Sequence, residues 1–335
     1  MASRWFSFAG AGPAPLWASQ RLRNGALALV MLIVSVLAIG ALRTILAGVH
    51  WADIRAGIGA IPPWRIAASV ALTAISYAVL TGYDVLSLRI IGRRVPYRIA
   101  ALASFTSYVF SHNLGFAVLT GGAARWRIYR RVGLTLGEVA QIMVMTGVTF
   151  WMGVLLLLGA GFVVLPGAAG VEGWQMAYPH QVAVGLLILT GLAVYLLLVR
   201  RRAGRALTLF GRTVRLPTPG IALAQFGLAA IDLTLATAAL FVLVPGLAVA
   251  AFPWMLTGYL LAFLSGLLAH APGGVGVFES VMLLALPQVD RASLFAALLL
   301  FRAIYYLAPL AIGAVLFVIH EATAWTPRAE RDGGA

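Results

Sequence analysis

The sequence has no cysteine, no lysine and only 10 acidic residues in 335. Without cysteine there can be no disulfide, no thiolate metal site and no cysteine nucleophile, and the redox compartment cannot be read. Without lysine, all 24 cations are arginine, and the net charge is +14. Charged residues are scarce at 10%, against 62% hydrophobic. A soluble domain is nearer roughly half apolar and a quarter charged. The scarcity therefore argues against a chain that folds in water and for one that spans a bilayer. A basic balance can also signal nucleic acid. Here the arginines lie between apolar segments, where they set membrane orientation, so no nucleic-acid partner is expected.

What is present is long apolar runs. Residues 25–42 and 182–199 each give about 18 residues without formal charge, enough to cross the hydrocarbon core. Six spans are predicted, roughly 25–48, 65–91, 136–165, 180–200, 220–244 and 292–319. Arg4, Arg21 and Arg23 precede the first run as in a signal peptide. The run is too long and has no clear small-residue cleavage site, so a retained first helix is expected.

Two further apolar stretches, 99–122 and 252–288, are interrupted by Gly, Pro, Asn and His. The second is about 37 residues long, too long for one ordinary crossing at 1.5 Å per residue. Each can be read as a re-entrant hairpin, and the second equally as two spans. Arg89, Arg93, Arg94 and Arg98 precede the first stretch, and Arg125, Arg127, Arg130 and Arg131 follow it. A stretch that dips in and returns keeps both clusters inside, as the positive-inside rule prefers. Arg200, Arg201, Arg202, Arg205, Arg212 and Arg215 then also lie inside, and both termini are cytoplasmic. The expected fold class is an all-α polytopic membrane protein with about six full transmembrane helices and two broken re-entrant hairpins. Its expected domains are a cytoplasmic segment 1–24, one membrane domain 25–320 and a cytoplasmic tail 321–335.

The layout suggests an inverted repeat of 64–165 and 220–320. Asp84 lies 12 residues before Pro96, and Asp232 lies 13 before Pro245. Each unit continues into a broken stretch, with His112-Asn113-Leu114-Gly115 in one and His270-Ala271-Pro272-Gly273 in the other. Each then enters a long span with an aromatic pair, Phe150-Trp151 or Tyr305-Tyr306. The alternative is chance similarity between apolar segments.

Ionisable groups within spans are costly and by default face an interior or a water-filled cavity. Asp84, Asp232, Glu279 and Arg302 are the candidates, with Arg125 at the mouth of the first hairpin. A lone acid could instead be a neutral, hydrogen-bonded packing residue, and Arg302 could be a structural counter-ion for one of the acids. Gly121, Gly122, Gly273, Gly274 and Gly276, with Pro272, mark the breaks. There the backbone can turn and its unpaired groups need protein, water or a polar ligand. The alternative for these glycines is tight helix packing. Tyr77, Tyr83, Tyr129 and Trp126 could line a lipid path, although interfacial anchoring explains the last two equally well. No P-loop and no G-x-S-x-G elbow occurs, and Ser111-His112 and Ser265 with His270 make no dyad by sequence. His112 and His270 have no second ligand at helical spacing, so no metal and no cofactor is expected.

Two motifs resemble a known family. One is Ser111-His112-Asn113-Leu114-Gly115-Phe116, with Leu119-Thr120-Gly121-Gly122 and Arg125-Trp126-Arg127-Ile128-Tyr129. The other runs His270-Ala271-Pro272-Gly273-Gly274-Val275-Gly276-Val277-Phe278-Glu279. Together they resemble the lysylphosphatidylglycerol synthase transmembrane family, the flippase region of the multiple peptide resistance factor and its stand-alone relatives. The resemblance spans about residues 20–320. It implies translocation of a phospholipid, typically aminoacylated phosphatidylglycerol, and through it resistance to cationic antimicrobial peptides. The family's intramembrane Asp matches Asp84, its Arg after Thr-Gly-Gly matches Arg125, and its Glu after the Pro-Gly-Gly motif matches Glu279. The pattern carries a second Asn where this chain has His112, so the resemblance implies no role for His112.

The expectation is therefore a lipid flippase-like protein of a bacterial inner membrane, not an enzyme. About 15 residues follow the last span, too few for an aminoacyl-transferring domain. Asp84 and Glu279, with Asp232, would hold an amine, and Arg125 a phosphate. Asn113, His112, His270 and Arg302 complete the candidate set. Expected partners are a membrane phospholipid and a separately encoded aminoacyl-lipid synthase. The alternatives are a transporter of another lipid carrier or small polar solute, and a membrane partner of that synthase.

Overall fold

The structure is a computed structural model that describes residues 36, 39–114, 120–167, 170–171, 174–201, 206–209, 212–215, 217–270 and 272–323. Most of the expected first span, both termini, and Gly115 to Leu119 lie outside the described residues. Of the span 25–48, residues 39–45 are helical.

The helices are α1 (Trp51–Ala60), α2 (Pro63–Ile90), α3 (Tyr97–Leu114), α4 (Thr120–Tyr129), α5 (Leu136–Val164), α6 (Tyr178–Arg201), α7 (Pro219–Phe241), α8 (Phe252–Leu268), α9 (Val277–Ala285) and α10 (Arg291–Ala322). Their starts are encoded locally. Proline occupies the first turn of α2 and α7, where a missing N–H costs nothing. Thr135 and Glu138 cap α5 reciprocally, Thr218 caps α7, and Asp290 caps α10 through the Ser293 N–H at 2.9 Å. Two short antiparallel hairpins, β1 (Gly170–Val171) with β2 (Trp174–Gln175) and β3 (Ala206–Leu209) with β4 (Arg212–Arg215), occupy the loops after α5 and α6.

Among the described residues, six helices are long and apolar enough to cross a membrane: α2, α5, α6, α7, Val249–Leu268 and α10. Five match predicted spans to within a few residues. The sixth is the first arm of the second broken stretch, for which two spans or a re-entrant hairpin were the expectations. At 20 residues it reaches crossing length by itself, because the 3₁₀ turn Val249–Ala251 adds to α8. The first broken stretch does fold as a hairpin: α4 doubles back along α3. A Cβ on Gly121 would collide with the side chain and carbonyl of Ser107 and with the hydroxyl of Ser111.

Between apolar helices, association rests on close packing rather than on exclusion of water. Small residues set the closest crossings. Gly153 of α5 lies on Ala229 of α7, Gly185 of α6 on the Gly159 carbonyl, Gly161 on Thr257 of α8, and Gly313 of α10 on Val109 of α3. The outer faces are apolar and open, as in α6, where Leu187 is 73% exposed.

α2 and α7 run antiparallel. The Arg65 guanidinium bonds the Val244 carbonyl at 3.3 Å, the Ser69 hydroxyl the Ala239 carbonyl at 2.8 Å, and the Ser76 hydroxyl Asp232 at 2.7 Å. The two helices therefore point in opposite senses.

Candidate functional site

Asp84 projects from α2 toward α4. Arg125 grips it bidentately, Nη2 to Oδ1 at 2.9 Å and Nε to Oδ2 at 3.1 Å. The Tyr129 hydroxyl donates to the same Oδ2 at 2.7 Å. Arg125 and Tyr129 are four apart on α4, so one helical face presents both. The guanidinium also sits 5.6 Å from the Tyr108 ring centroid of α3. Asp84 is completely buried and Arg125 is 4% exposed. Each charge answers the other, with planar geometry that an Arg–carboxylate pair favours. Tyr129 corrects an expectation: it is fully buried against the acid, where interfacial anchoring had been the equal alternative.

The second pair joins Glu279 of α9 to Arg302 of α10. Glu279 also accepts the Gly276 N–H at 2.7 Å and so anchors the start of α9. Arg302 donates to the Gly273 carbonyl at 2.8 Å and lies over the Tyr306 and Phe278 rings, at 5.4 and 5.9 Å. One side chain thus holds the turn, the acid and two aromatic faces. Arg302 opens a π-helical segment, Arg302–Leu307, inside α10. Such segments recur at functional sites.

The two breaks meet. Gly273, at φ 59°, has the carbonyls of His112 and Asn113 within 3.6 Å of where a Cβ would stand. Asn113 Nδ2 bonds the Val109 carbonyl at 2.8 Å and the Tyr306 carbonyl at 3.2 Å. The end of α3 therefore abuts the Pro272–Gly274 turn and the π segment. Gly274 and Gly276 share the left-handed φ, at 65° and 83°, so this turn needs glycine for its backbone. Gly121 and Gly122 serve differently: both are buried in helical α4 against α3. His270 stays apart. It is exposed, and its Nδ1 lies 2.8 Å from the Leu268 carbonyl.

Asp232 forms a third centre, on α7. It accepts from Ser76 Oγ at 2.7 Å and Tyr83 Oη at 3.2 Å, and Ser76 Oγ lies 2.9 Å from Tyr305 Oη. It borders a cavity of about 30 Å³ with Tyr108, His112 and Tyr259 among its walls. Ser76, Tyr108 and Tyr259 were not singled out in the sequence. The spacing of seven between Ser76 and Tyr83, two turns on one face, was the available signal. No group of three or more metal-ligating side chains occurs among the described residues.

Residues 5–313 match the family described as the lysylphosphatidylglycerol synthase TM region. An uncharacterized protein of Synechocystis sp., slr0712, is 34% identical over 296 residues, covering 87% of this chain and 90% of that one. The inner membrane protein YbhN of Escherichia coli is 31% identical over 271 residues, covering 79% and 82%. A shorter match, 40% over 68 residues, reaches 20% of this chain and 8% of the phosphatidylglycerol lysyltransferase of Staphylococcus haemolyticus. A family match across most of the chain, joined by relatives of similar length, leads to one assignment: this polytopic membrane protein belongs to the lysylphosphatidylglycerol synthase transmembrane family.

Proposed function

We propose that the protein is a non-enzymatic phospholipid translocator of a bacterial inner membrane, acting on lipids with a phosphate and an amine such as aminoacylated phosphatidylglycerol. The observation that carries this reading is the pairing of Asp84 with Arg125 and of Glu279 with Arg302 inside an apolar bundle. Buried pairs of this kind are weak stabilisers, because desolvation offsets their attraction. They suit a site that exchanges partners. A zwitterionic headgroup offers the same two charges, so phosphate can replace the carboxylate at Arg125 while the amine takes the acid. In the state described, both acids are engaged by protein, so this is the closed arrangement and the headgroup must displace internal pairs.

The two broken stretches would give way at their meeting point, where Gly273, Asn113 and the π segment hold each other through single hydrogen bonds. We also place both termini in the cytoplasm. The end of α10 carries Glu321, which pairs with Arg127 at 3.2 Å and Arg131 at 3.1 Å, so the last helix finishes beside a basic cluster, on the side the positive-inside rule assigns to cytosol. The inner-membrane designation of YbhN supports the location.

The test is outer-leaflet appearance of labelled aminoacyl phosphatidylglycerol in proteoliposomes. Transport well above protein-free vesicles is expected, with loss in Arg125→Gln and Glu279→Gln. Undiminished transport in both variants would sink the assignment.

A further inference from the structure

Three acids are buried among the described spans, and they are not alike. Asp84 and Glu279 each face an arginine. Asp232, 5% exposed, has no cationic side chain in an ion pair with it among the described residues. Its two partners are neutral hydroxyls. The other groups facing it are phenols and one imidazole: Tyr77 on α2, Tyr108 and His112 on α3, Tyr259 on α8, and Tyr305 and Tyr306 on α10. The Arg125–Asp84 pair lies beyond Tyr108 and the Arg302–Glu279 pair beyond Tyr306, each closed on itself.

An acid in such a place must have its charge answered by something. The cavity limits what that can be. At about 30 Å³ it admits one or two waters and no headgroup. His112 Nδ1 is buried without a hydrogen-bond partner among the described residues, which suits a water in this space. Ser76 links Asp232 to Tyr305, and Tyr83 approaches from the other oxygen, so hydroxyls form a short relay around the carboxyl.

We propose that Asp232 is a proton-exchange site, taking up and releasing one proton through the hydroxyl- and water-lined cavity, and that this exchange couples the conformational cycle to the transmembrane proton gradient. The step is balanced: on one side of the cycle a carboxylate oxygen takes a proton from hydronium relayed through the cavity, leaving water, and on the other it returns the proton to water, which leaves as hydronium. Only the coupling half rests on the translocator reading; the proton site stands without it.

The experiment uses the full chain in lipid nanodiscs with isotope-labelled aspartate. Infrared difference spectra between mildly acidic and mildly alkaline buffer report the carbonyl stretch of protonated aspartic acid. One labelled band that titrates across this range is expected. It should be absent in Asp232→Asn, retained in Asp84→Asn, and shifted in Tyr83→Phe, which removes a hydrogen bond to the carboxyl. If Asp232→Asn fails to fold, the wild-type band and its Tyr83→Phe shift still carry the assignment. No titrating band, a band indifferent to both Asp232→Asn and Tyr83→Phe, or a change driven by sodium instead of pH overturns it.

In proteoliposomes, an imposed pH gradient should accelerate lipid transfer in wild type and have no effect in Asp232→Asn. Gradient-driven transfer that persists in Asp232→Asn overturns the coupling. An assigned band with no lipid transfer at all keeps the proton site and removes the lipid reading. Transfer without any band, insensitive to the gradient, does the reverse.

Discussion

Arg125 and Asp84, 41 residues apart in the chain, meet through two parallel hydrogen bonds with both side chains buried. The pair ties the returning arm of the first hairpin to α2, and Tyr129 adds a third bond from the same arm.

Removing one partner leaves the other charge buried and alone. Arg125→Ala should therefore destabilise the fold by about 3–5 kcal/mol, read as a lower unfolding midpoint in detergent. The double variant Arg125→Gln with Asp84→Asn should recover much of that loss, because no charge is then stranded. A double variant no more stable than Arg125→Ala would show that the pair is not what joins α4 to α2.

The crossing of α5 and α7 makes a second prediction. A Cβ on Gly153 would stand 2.8 Å from the Ala229 carbonyl carbon and 3.1 Å from its Cα, against backbone that cannot yield cheaply. Gly153→Ala should cost roughly 1–3 kcal/mol. Gly147, on the same helix with nothing within 4 Å, is the control: Gly147→Ala should be neutral or stabilise by up to about 1 kcal/mol through helix propensity. Thermal unfolding of the two variants side by side checks the contrast.

The turn at Gly273 makes a third. Its φ of 59° suits glycine, and alanine there should cost roughly 1–2 kcal/mol. The Asn113 carbonyl would also lie 3.5 Å from the new methyl. Proteolytic susceptibility of the 270–276 turn should rise in Gly273→Ala and stay at the wild-type level in Gly147→Ala.

Asp290 gives a pH prediction outside the spans. The Ser293 N–H and hydroxyl hold its carboxyl below the usual carboxylate range. A folded value below the unfolded one means that its contribution is complete above about pH 4 and is lost as pH falls through the depressed value. As an N-cap it is worth about 1 kcal/mol. Asp290→Ala should lower the unfolding midpoint at neutral pH, and the gap from wild type should close in strong acid.

Much of the architecture was legible in the sequence because hydropathy and proline act locally. The starts of α2 and α7 follow from Pro63 and Pro219, and the start of α5 from Thr135 and Glu138. The Pro272-Gly273-Gly274 motif located the second break, since backbone at φ near 60–80° writes itself into residue choice. Whether the second stretch is two spans or a hairpin was left open, because composition could not say that a 3₁₀ turn would lengthen α8 to crossing length.

The chain by itself thus determined that this is a bundle of apolar helices with a break at the 272–276 glycine motif, and which ionisable groups lie within it. Only the tertiary structure decided how those groups combine. Arg125 could have served Asp84, Asp232 or Glu279, and nothing in spacing along the chain distinguishes these. Packing of α4 onto α3 and α2 sends it to Asp84, and the π segment sends Arg302 to Glu279. Asp232, facing α2 across the antiparallel crossing with α7, is left to hydroxyls alone. Pairing between distant charges depends on which helix faces meet, and those faces are set by small residues such as Gly153 and Gly121, whose contacts exist only once the helices have packed.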